Sequence, residues 1–142
     1  LMSLADPRLH DDALVNLLAS VGLVVGDAAD PTVPFGWQGT PGQSTFVPYV
    51  IVYPLDQDYD GSLGCPDTDS DLSWQATCVG ATRDQCDWVR AKVADTLIGA
   101  SLTVTGRSVP RIRPLGGVGT RRDDTIQPPV FIATPRFGAV SV

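Results

Sequence analysis

The sequence predicts a single α+β domain over residues 1–142, with a mostly antiparallel sheet of four to five strands and two helices packed on one face. The length of 142 residues is typical of a single domain, and 43% of the residues are hydrophobic, which is enough for one packed core. The hydrophobic patterns run in the order helix, two strands, helix, then two or three strands. All sixteen acidic residues are Asp, and 14 Gly and 12 Pro predict short helices joined by many loops.

The first helix is predicted to begin at Asp6-Pro7, because an N-cap acceptor followed by proline is a common helix start. Apolar residues then recur at helical spacing as far as Gly22, which can close the helix: Leu14, Leu17, Leu18 and Val21. His10 is the only histidine of the chain and lies near this start. We expect a solvated or capping side chain there rather than a catalytic one.

Two strands around an acidic segment predict an extended β-hairpin. Residues 26–47 before it have the proline and glycine content of a loop. The β-branched and aromatic run Tyr49–Tyr53 predicts the first strand, which Pro54 ends. After the acidic segment, residues 72–79 alternate as a second strand, with one apolar face made of Leu72, Trp74, Ala76 and Cys78.

The second helix is predicted from a capping box over Thr82–Gln85, in which Thr82 is the N-cap and Gln85 reaches back. Gly99 is a ready C-terminal stop. The residues between them carry an apolar stripe at helical spacing: Cys86, Val89, Val93 and Leu97.

The C-terminal third predicts two or three further strands. Leu102–Val104 is a short candidate, and two prolines make Val109–Leu115 an edge strand at best. Residues 116–127 have the composition of a glycine-rich polar loop, and Val130–Ala133 is the last predicted strand.

The three cysteines, Cys65, Cys78 and Cys86, exclude a fully paired disulfide framework. We expect free thiols of a protein made in a reducing cytosol, the alternative being a Cys65–Cys78 bridge. The apolar run 13–25 follows two aspartates rather than basic residues and is too short to span a bilayer. These features predict a soluble, unsecreted protein.

An acidic segment lies inside the predicted hairpin and carries six aspartates: Asp56, Asp58, Asp60, Asp67, Asp69 and Asp71. Asp56, Asp58, Asp60, Gly61 and Asp67 resemble the ligand spacing of an EF-hand calcium loop, although a strand rather than a helix precedes them. The plainer interpretation is a solvated acidic loop held extended by repulsion between its charges. Calcium binding is therefore kept as an alternative.

A second dense charged motif is Arg121-Arg122-Asp123-Asp124. One interpretation is a surface loop whose neighbouring charges neutralise each other. The other is a subunit or sheet-edge contact, in which arginines pair with aspartates of a neighbouring copy.

No residue pattern supports catalysis or a cofactor. A Ser–His–Asp triad would have to use His10, and the sequence has no GxSxG motif. Gly116–Gly119 lacks the GxxxxGK[ST] spacing of a phosphate-binding loop. A formal net charge of -6 has the wrong sign for electrostatic binding of nucleic acid. We therefore expect a protein without enzymatic activity, cofactor or structural metal.

Three blocks of the sequence resemble the tail terminator proteins of long-tailed, siphovirus-type bacteriophages, especially those of actinobacterial hosts. The blocks occur in the family's order and span most of residues 48–135. They are Pro48–Tyr53, the strand-to-helix junction Val79–Val89, and Arg121–Asp124 followed by Pro129–Phe131.

The resemblance implies a ring of six copies that caps the finished tail tube and joins it to the head. Its partners would be other copies of itself, the tail tube protein, a head-completion or stopper protein, and double-stranded DNA that passes through the lumen without specific binding. The implied place is the tail–neck junction of the virion, after assembly in the host bacterial cytoplasm and with no membrane involved. The six aspartates of the acidic segment would face the lumen or a ring joint.

Two alternatives remain open from the sequence. Another head–tail connector, such as a head-completion adaptor or stopper, would also be a small ring-forming protein. A calcium-dependent binding module built on residues 56–67 belongs to a different class.

Overall fold

The structure is a computed structural model that describes residues 6–27, 35–62 and 65–142, of which 26–27, 56–62 and 65–70 are described by their backbone alone. The described part contains two helices, α1 (Pro7–Ser20) and α2 (Arg83–Leu97). Its strands are β1 (Val25–Asp27), β2 (Gly36–Trp37), β3 (Phe46–Val47), β4 (Tyr49–Ser62), β5 (Cys65–Gly80), β6 (Leu102–Val104), β7 (Arg107–Val109), β8 (Arg113–Asp123) and β9 (Val130–Ser141).

The main sheet has five strands in the order β1-β4-β5-β9-β8. All of its pairs are antiparallel except β1 with β4, which is parallel. β2 pairs with β3 and β6 with β7 in two small antiparallel sheets. The predicted α+β fold with a mostly antiparallel sheet is thereby confirmed.

Both helices lie on one face of this sheet, as predicted. The apolar stripe of α2 is fully buried and packs mainly on β5 and β9, while α1 contacts β4 and β6. Burying these faces together builds a single core, since each helix has only one apolar side to cover. Its largest buried side chains include Trp74, Phe137, Leu14, Leu18, Leu97 and Ile112.

The capping box of α2 is confirmed, with one change in its geometry. The Thr82 hydroxyl accepts a hydrogen bond from the Gln85 amide at 3.2 Å. The Gln85 side chain reaches back one residue further than the usual pattern and accepts from the Ala81 amide at 2.9 Å. Gly80, just before this turn, has no room for a side chain, because an added Cβ would lie 2.5 Å from the Cys86 nitrogen.

His10 is neither solvated nor a cap, which corrects the sequence-based expectation. The side chain is fully buried, with Nδ1 2.6 Å from the Asp6 carbonyl oxygen and Nε2 2.7 Å from the Ser141 hydroxyl. Arg107 Nε donates to the same hydroxyl at 3.1 Å. Because β9 brings Ser141 to α1 from 131 positions away, local sequence gave no sign of this contact.

Two strands are longer than predicted. β4 continues past Pro54 to Ser62, because a register shift between Pro54 and Gln57 absorbs the proline. β9 runs on from the predicted Val130–Ala133 as far as Ser141.

The predicted glycine-rich loop over 116–127 is mostly strand, since β8 extends to Asp123. Gly116 and Gly117 have positive φ angles of 88° and 126° and lie beside a register shift against β9. An added Cβ at Gly117 would clash with the Thr134 carbonyl oxygen. The glycines therefore permit a kinked strand to stay close to its neighbour.

The face of the sheet opposite the helices carries a smaller apolar cluster of Phe46, Val79 and Val130. The β2–β3 pair covers part of it, and Trp37 packs edge-on against Phe46 with ring centroids 5.0 Å apart. Part of the predicted loop 26–47 is thus pinned to the sheet by its aromatics, while residues 28–34 lie outside the described part.

Cys78 and Cys86 are free and buried, as expected. The alternative Cys65–Cys78 bridge is wrong, because both residues lie on the single strand β5. Thirteen residues of extended strand place their Cα atoms about 43 Å apart, whereas a disulfide needs them within about 7 Å.

Candidate assembly surface

The acidic segment forms the outer part of the β4–β5 hairpin. The backbone register pairs Asp58 with Asp71 and Asp60 with Asp69. β9 pairs with β5 only from Ser70 onward, so the ribbon made by 57–62 and 65–69 projects beyond the described part of the sheet. We call this ribbon the acidic arm.

Five of the six sequence-predicted aspartates are placed only by their backbone. The side chains of Asp56, Asp58, Asp60, Asp67 and Asp69 lie outside the described residues, and Asp71 is exposed. Their predicted position at a lumen or ring joint stays a prediction. The ladder does show that these residues occupy two paired strands, a backbone unlike the single twelve-residue loop of an EF-hand.

β8 forms an edge of the main sheet and pairs on one side with β9. Nine of its eleven residues are exposed, and the other two are half-buried. Exposed apolar side chains occur on it beside the charges, since Leu115 is 47% and Val118 is 54% exposed. A long exposed edge offers unpaired backbone groups to another strand.

The charged motif lies at the end of this edge. Arg121, Arg122 and Asp123 are the last residues of β8, and Asp124 follows in the turn. Arg122 Nε lies 2.7 Å from Asp124 Oδ1 in an exposed ion pair. The sequence-predicted motif is therefore at a sheet edge, while its role in binding another subunit stays a prediction.

Asp123 organises the turn after β8. Its Oδ1 accepts hydrogen bonds from the Thr125 amide at 3.0 Å and the Thr125 hydroxyl at 2.5 Å. These bonds lower the pKa of the Asp123 carboxyl, with a smaller contribution from the positive charge of Arg121. The Asp123 carboxylate thus holds the turn that follows β8.

A shallow, mostly apolar groove lies between α2 and β8, and we call it the α2–β8 groove. Ala94 of α2 and the C-cap residue Ile98 form one wall, Pro114 and residues 116–119 of β8 form the opposite wall, and residues 135–137 of β9 also line the groove. Arg90 lies at the groove with its guanidinium close to Gly119, since an added Cβ there would lie 3.3 Å from Nη1. Sequence reasoning missed this groove because α2, β8 and β9, which are far apart in the sequence, build it together; Val118 among glycines was its one local signal.

α2 and β8 each carry an exposed arginine, Arg90 and Arg121. Arg90 and Arg121 are both exposed, and neither forms an ion pair with a described side chain. Burial raises the pKa of the Cys86 thiol. The positive charges of both arginines act in the opposite direction, because they favour the thiolate. Arg90 lies at the α2–β8 groove, whereas the ladder pairs Arg121 with Ile132, which packs with Val79 and Val130 on the face of the sheet opposite the helices.

The structure also contains a buried serine–histidine contact, Ser141 with His10. Both side chains are 0% exposed, so no substrate reaches the hydroxyl. His10 Nδ1 donates to the Asp6 carbonyl oxygen, and the Ser141 hydroxyl accepts from Arg107 Nε. This network ties the C-terminal strand to α1.

The described side chains hold no cluster of three His, Cys or Asp residues suited to a metal ion. Neither of the two described helices is long and apolar enough to cross a membrane.

The fold is similar to that of a chain in a solved structure described as the virion of a native gene transfer agent particle. The match covers 99% of this chain and 100% of that chain, with a TM-score of 0.67 and 21% sequence identity. No protein-family model matches the sequence, and no curated protein matches it. At this identity the similarity concerns the fold.

Proposed function

We propose that this chain is a structural protein of a phage-like virion, and more specifically a tail terminator. In this role several copies form a ring, six by the family resemblance, that caps the finished tail tube. The ring stops tube polymerisation and joins the tube to the neck proteins of the head. It acts without enzymatic activity or a cofactor.

The observation that carries the proposal is the end-to-end likeness to a chain of the gene transfer agent virion. The match covers 99% of this chain and 100% of that chain, so the likeness concerns the whole fold of both. The sequence supports the finer assignment independently, through three blocks that resemble tail terminators in the same order: Pro48–Tyr53, Val79–Val89, and Arg121–Asp124 with Pro129–Phe131.

In such a ring each copy contacts the next through a head-to-tail interface. The rotation from one copy to the next brings the last copy back to the first, so a closed ring forms instead of a filament. One ring face must match the tube, and the other must differ from the tube so that no further tube ring adds. DNA passes through the lumen, where an acidic lining keeps phosphates from adhering. The net charge of -6 and the projecting acidic arm suit that environment.

Deleting the gene from the phage-like element that encodes it, with plasmid complementation as the control, tests the proposal through tail length in electron micrographs. We expect overlong, headless tubes, because nothing then ends polymerisation. Tails of normal length beside heads that leak DNA would instead assign the chain as a head-completion adaptor or stopper. Unchanged, infectious particles would overturn both assignments.

A further inference from the structure

One face of the main sheet lies against the helices, and we call the other the open face. Tyr53, Gln75 and Arg136 form a row across it, because each alternates along its strand with a side chain buried under the helices. Tyr53 is 39% exposed, and Arg136 is exposed as well. The β2–β3 pair lies around Val79 and Val130, at the next end of this face. In the described part of the chain, the row at Gln75 is therefore left uncovered.

Arginines follow the β8–β9 side of the open face. Arg136 belongs to the row at Gln75, while Arg113 pairs with Gly138 and Arg121 with Ile132. Positions 132, 136 and 138 of β9 share one face, since they are separated by even numbers of residues. We call the three arginines the arginine stripe. They are exposed, and none of them forms an ion pair with a described side chain.

The acidic arm continues the same side of the sheet. Asp71 is exposed and alternates with Leu72, which is buried under the helices. The register opposes Asp58 to Asp71 and Asp60 to Asp69, so these positions follow one another along that side of the ladder. Residues 55–72 contain no basic residue. The open face therefore has aspartates at its arm end and arginines along β8 and β9.

We propose that the acidic arm of one copy packs across the open face of the next copy, with its aspartates on the arginine stripe. This inference rests on the proposed ring and names the contact between neighbouring copies in it. The arginines supply the positive charge, and apolar side chains of the open face supply the surface that becomes buried.

The first support is charge complementarity. Like charges at opposed ladder positions destabilise a hairpin, and the arm has two such pairs, Asp58 with Asp71 and Asp60 with Asp69. A basic surface from outside relieves this repulsion, and the forked guanidinium of arginine is well suited to carboxylates.

One acidic residue lies near the stripe and leaves it positive. Asp123 follows Arg121 by two positions, and its carboxylate accepts two hydrogen bonds from Thr125. The charge of Arg121 contributes to the lowered pKa of this carboxyl. Arg113 and Arg136 lie further along the stripe, over the uncovered rows, and have no ion pair among the described side chains.

The second support is the match in length and surface. The stripe extends over six positions of β9, which is about 20 Å, and residues 57–62 of the arm extend equally far. Two β surfaces pack face to face about 10 Å apart through their side chains. Leu115 is 47% exposed and its Cδ1 lies over Gly138, so it adds apolar surface beside Tyr53 to this face.

The third support is that the contact requires a second copy. Asp69 lies six positions along β5 from Gln75, the residue opposite Arg136, and six positions of strand span about 20 Å. The arm extends the strands of its own sheet, so its aspartates cannot lie on its own stripe. Because arm and stripe are different surfaces, the contact is head-to-tail, which is the type that forms rings.

Two reciprocal variants test the contact. The arm variant Asp58→Arg/Asp60→Arg opposes a positive arm to the arginine stripe, and the stripe variant Arg113→Asp/Arg136→Asp opposes a negative stripe to the acidic arm. Native mass spectrometry and sedimentation at low ionic strength measure self-association. We expect the wild-type chain to form species larger than a dimer. Each variant alone should associate at least about tenfold more weakly, because like charges then meet.

Mixing the two variants gives the decisive result. Each positive arm then meets a negative stripe and the reverse, so we expect assemblies in which the variants alternate in equal numbers. A chain that carries all four substitutions should also associate. The control Arg8→Asp/Arg90→Asp makes the same charge change at exposed positions of the two helices and should behave as wild type. Circular dichroism checks that each variant is folded.

Four results would overturn the contact: a wild-type chain that forms nothing larger than a dimer at any concentration, a stripe variant that associates like wild type, a control that weakens association as much as the stripe variant, or a mixture that does not recover. None of them decides the terminator role. If the stripe variant still restores normal tail length to the deletion strain, the contact is wrong while the proposed function stands. If deletion leaves particles unchanged, the function fails whatever the association measurements give.

Discussion

The two faces of the five-stranded sheet differ in how completely they are covered. Both helices cover one face, where the stripe of α2 and side chains such as Trp74 and Phe137 are buried almost completely. The opposite face has a cluster of three buried residues, Phe46, Val79 and Val130, with partly exposed aromatics around it. The helix-covered face provides most of the favourable free energy of folding, because burial of apolar surface is the dominant favourable term.

The difference separates stability from assembly. The helix-covered face of the sheet is buried in the core, whereas the edge strand β8 contributes little to the core and remains exposed. Substitutions on the covered face should therefore lower the free energy of unfolding, and substitutions at the edge should alter contacts between molecules.

The largest expected effect contrasts two tryptophans on opposite faces. Trp74→Ala should lower the free energy of unfolding by about 3–5 kcal/mol, because it opens a cavity in the core. It also removes the indole donor that bonds Asp11 Oδ1 at 2.7 Å. Trp37→Ala, on the partly covered face, should lower the free energy of unfolding by clearly less. Urea unfolding of both variants makes the measurement, and equal losses would contradict the contrast.

Ser141→Ala tests the buried polar network that closes the covered face at its end. Removing the hydroxyl leaves His10 Nε2 without its buried partner and Arg107 Nε without its acceptor. An unsatisfied buried group costs about 1–3 kcal/mol, which thermal or urea unfolding detects. The matched control is Ser108→Ala, an exposed serine on β7. A Ser141→Ala protein as stable as the control would mean that the network is dispensable.

The Cys78 thiol predicts a pH dependence of stability. Burial, with a smaller contribution from Cys86, raises the pKa of Cys78 from 9.0 to about 12. The unfolded chain therefore loses this proton at lower pH than the native protein does. The contribution of the protonated Cys78 thiol to the free energy of unfolding is complete below pH 9. It is lost as the pH rises toward 12, with a slope of about 1.4 kcal/mol per pH unit.

The free energy of unfolding, measured at pH 8 and pH 10 for the wild-type protein and Cys78→Ala, isolates the contribution of the Cys78 thiol. The wild-type protein should lose more stability between the two values than the variant, because the other titrating groups are common to both. The native thiol should also resist alkylation at pH 8, since it is buried and protonated. Identical pH slopes in the two proteins would contradict the assignment.

The smallest expected effect concerns the edge. Arg122→Ala removes the exposed ion pair with Asp124, and such pairs contribute about 0–1 kcal/mol. We expect a nearly unchanged unfolding midpoint in high salt, where the pair is screened. A loss as large as that of Ser141→Ala would show that the edge is part of the stabilising core, and the division between the two regions would then fail.

Elements with a strong local signal were predicted well. The cap, buried stripe and end of α2 follow from residues within one helix, from Thr82 to Gly99. The same holds for α1 with its Asp6 cap. The inner part of the β4–β5 hairpin was also predicted, because alternation reports directly which strand face is buried.

The prediction failed where distant segments decide the outcome. Prolines and glycines led to loops at Pro54 and at 116–127, but register shifts against neighbouring strands keep both segments in the sheet. His10 looked like a surface residue because Ser141, its partner, is 131 positions away.

The sequence by itself therefore determined the fold class, both helices and the separation of acidic from basic residues along the chain, since these depend on composition and local periodicity. Only the tertiary structure decided that β8 is an exposed edge, that α2 and β8 form a groove, and that the acidic arm projects beyond the strands that pair with its base. Strand order and register set these features, and both arise from contacts between residues far apart in the chain.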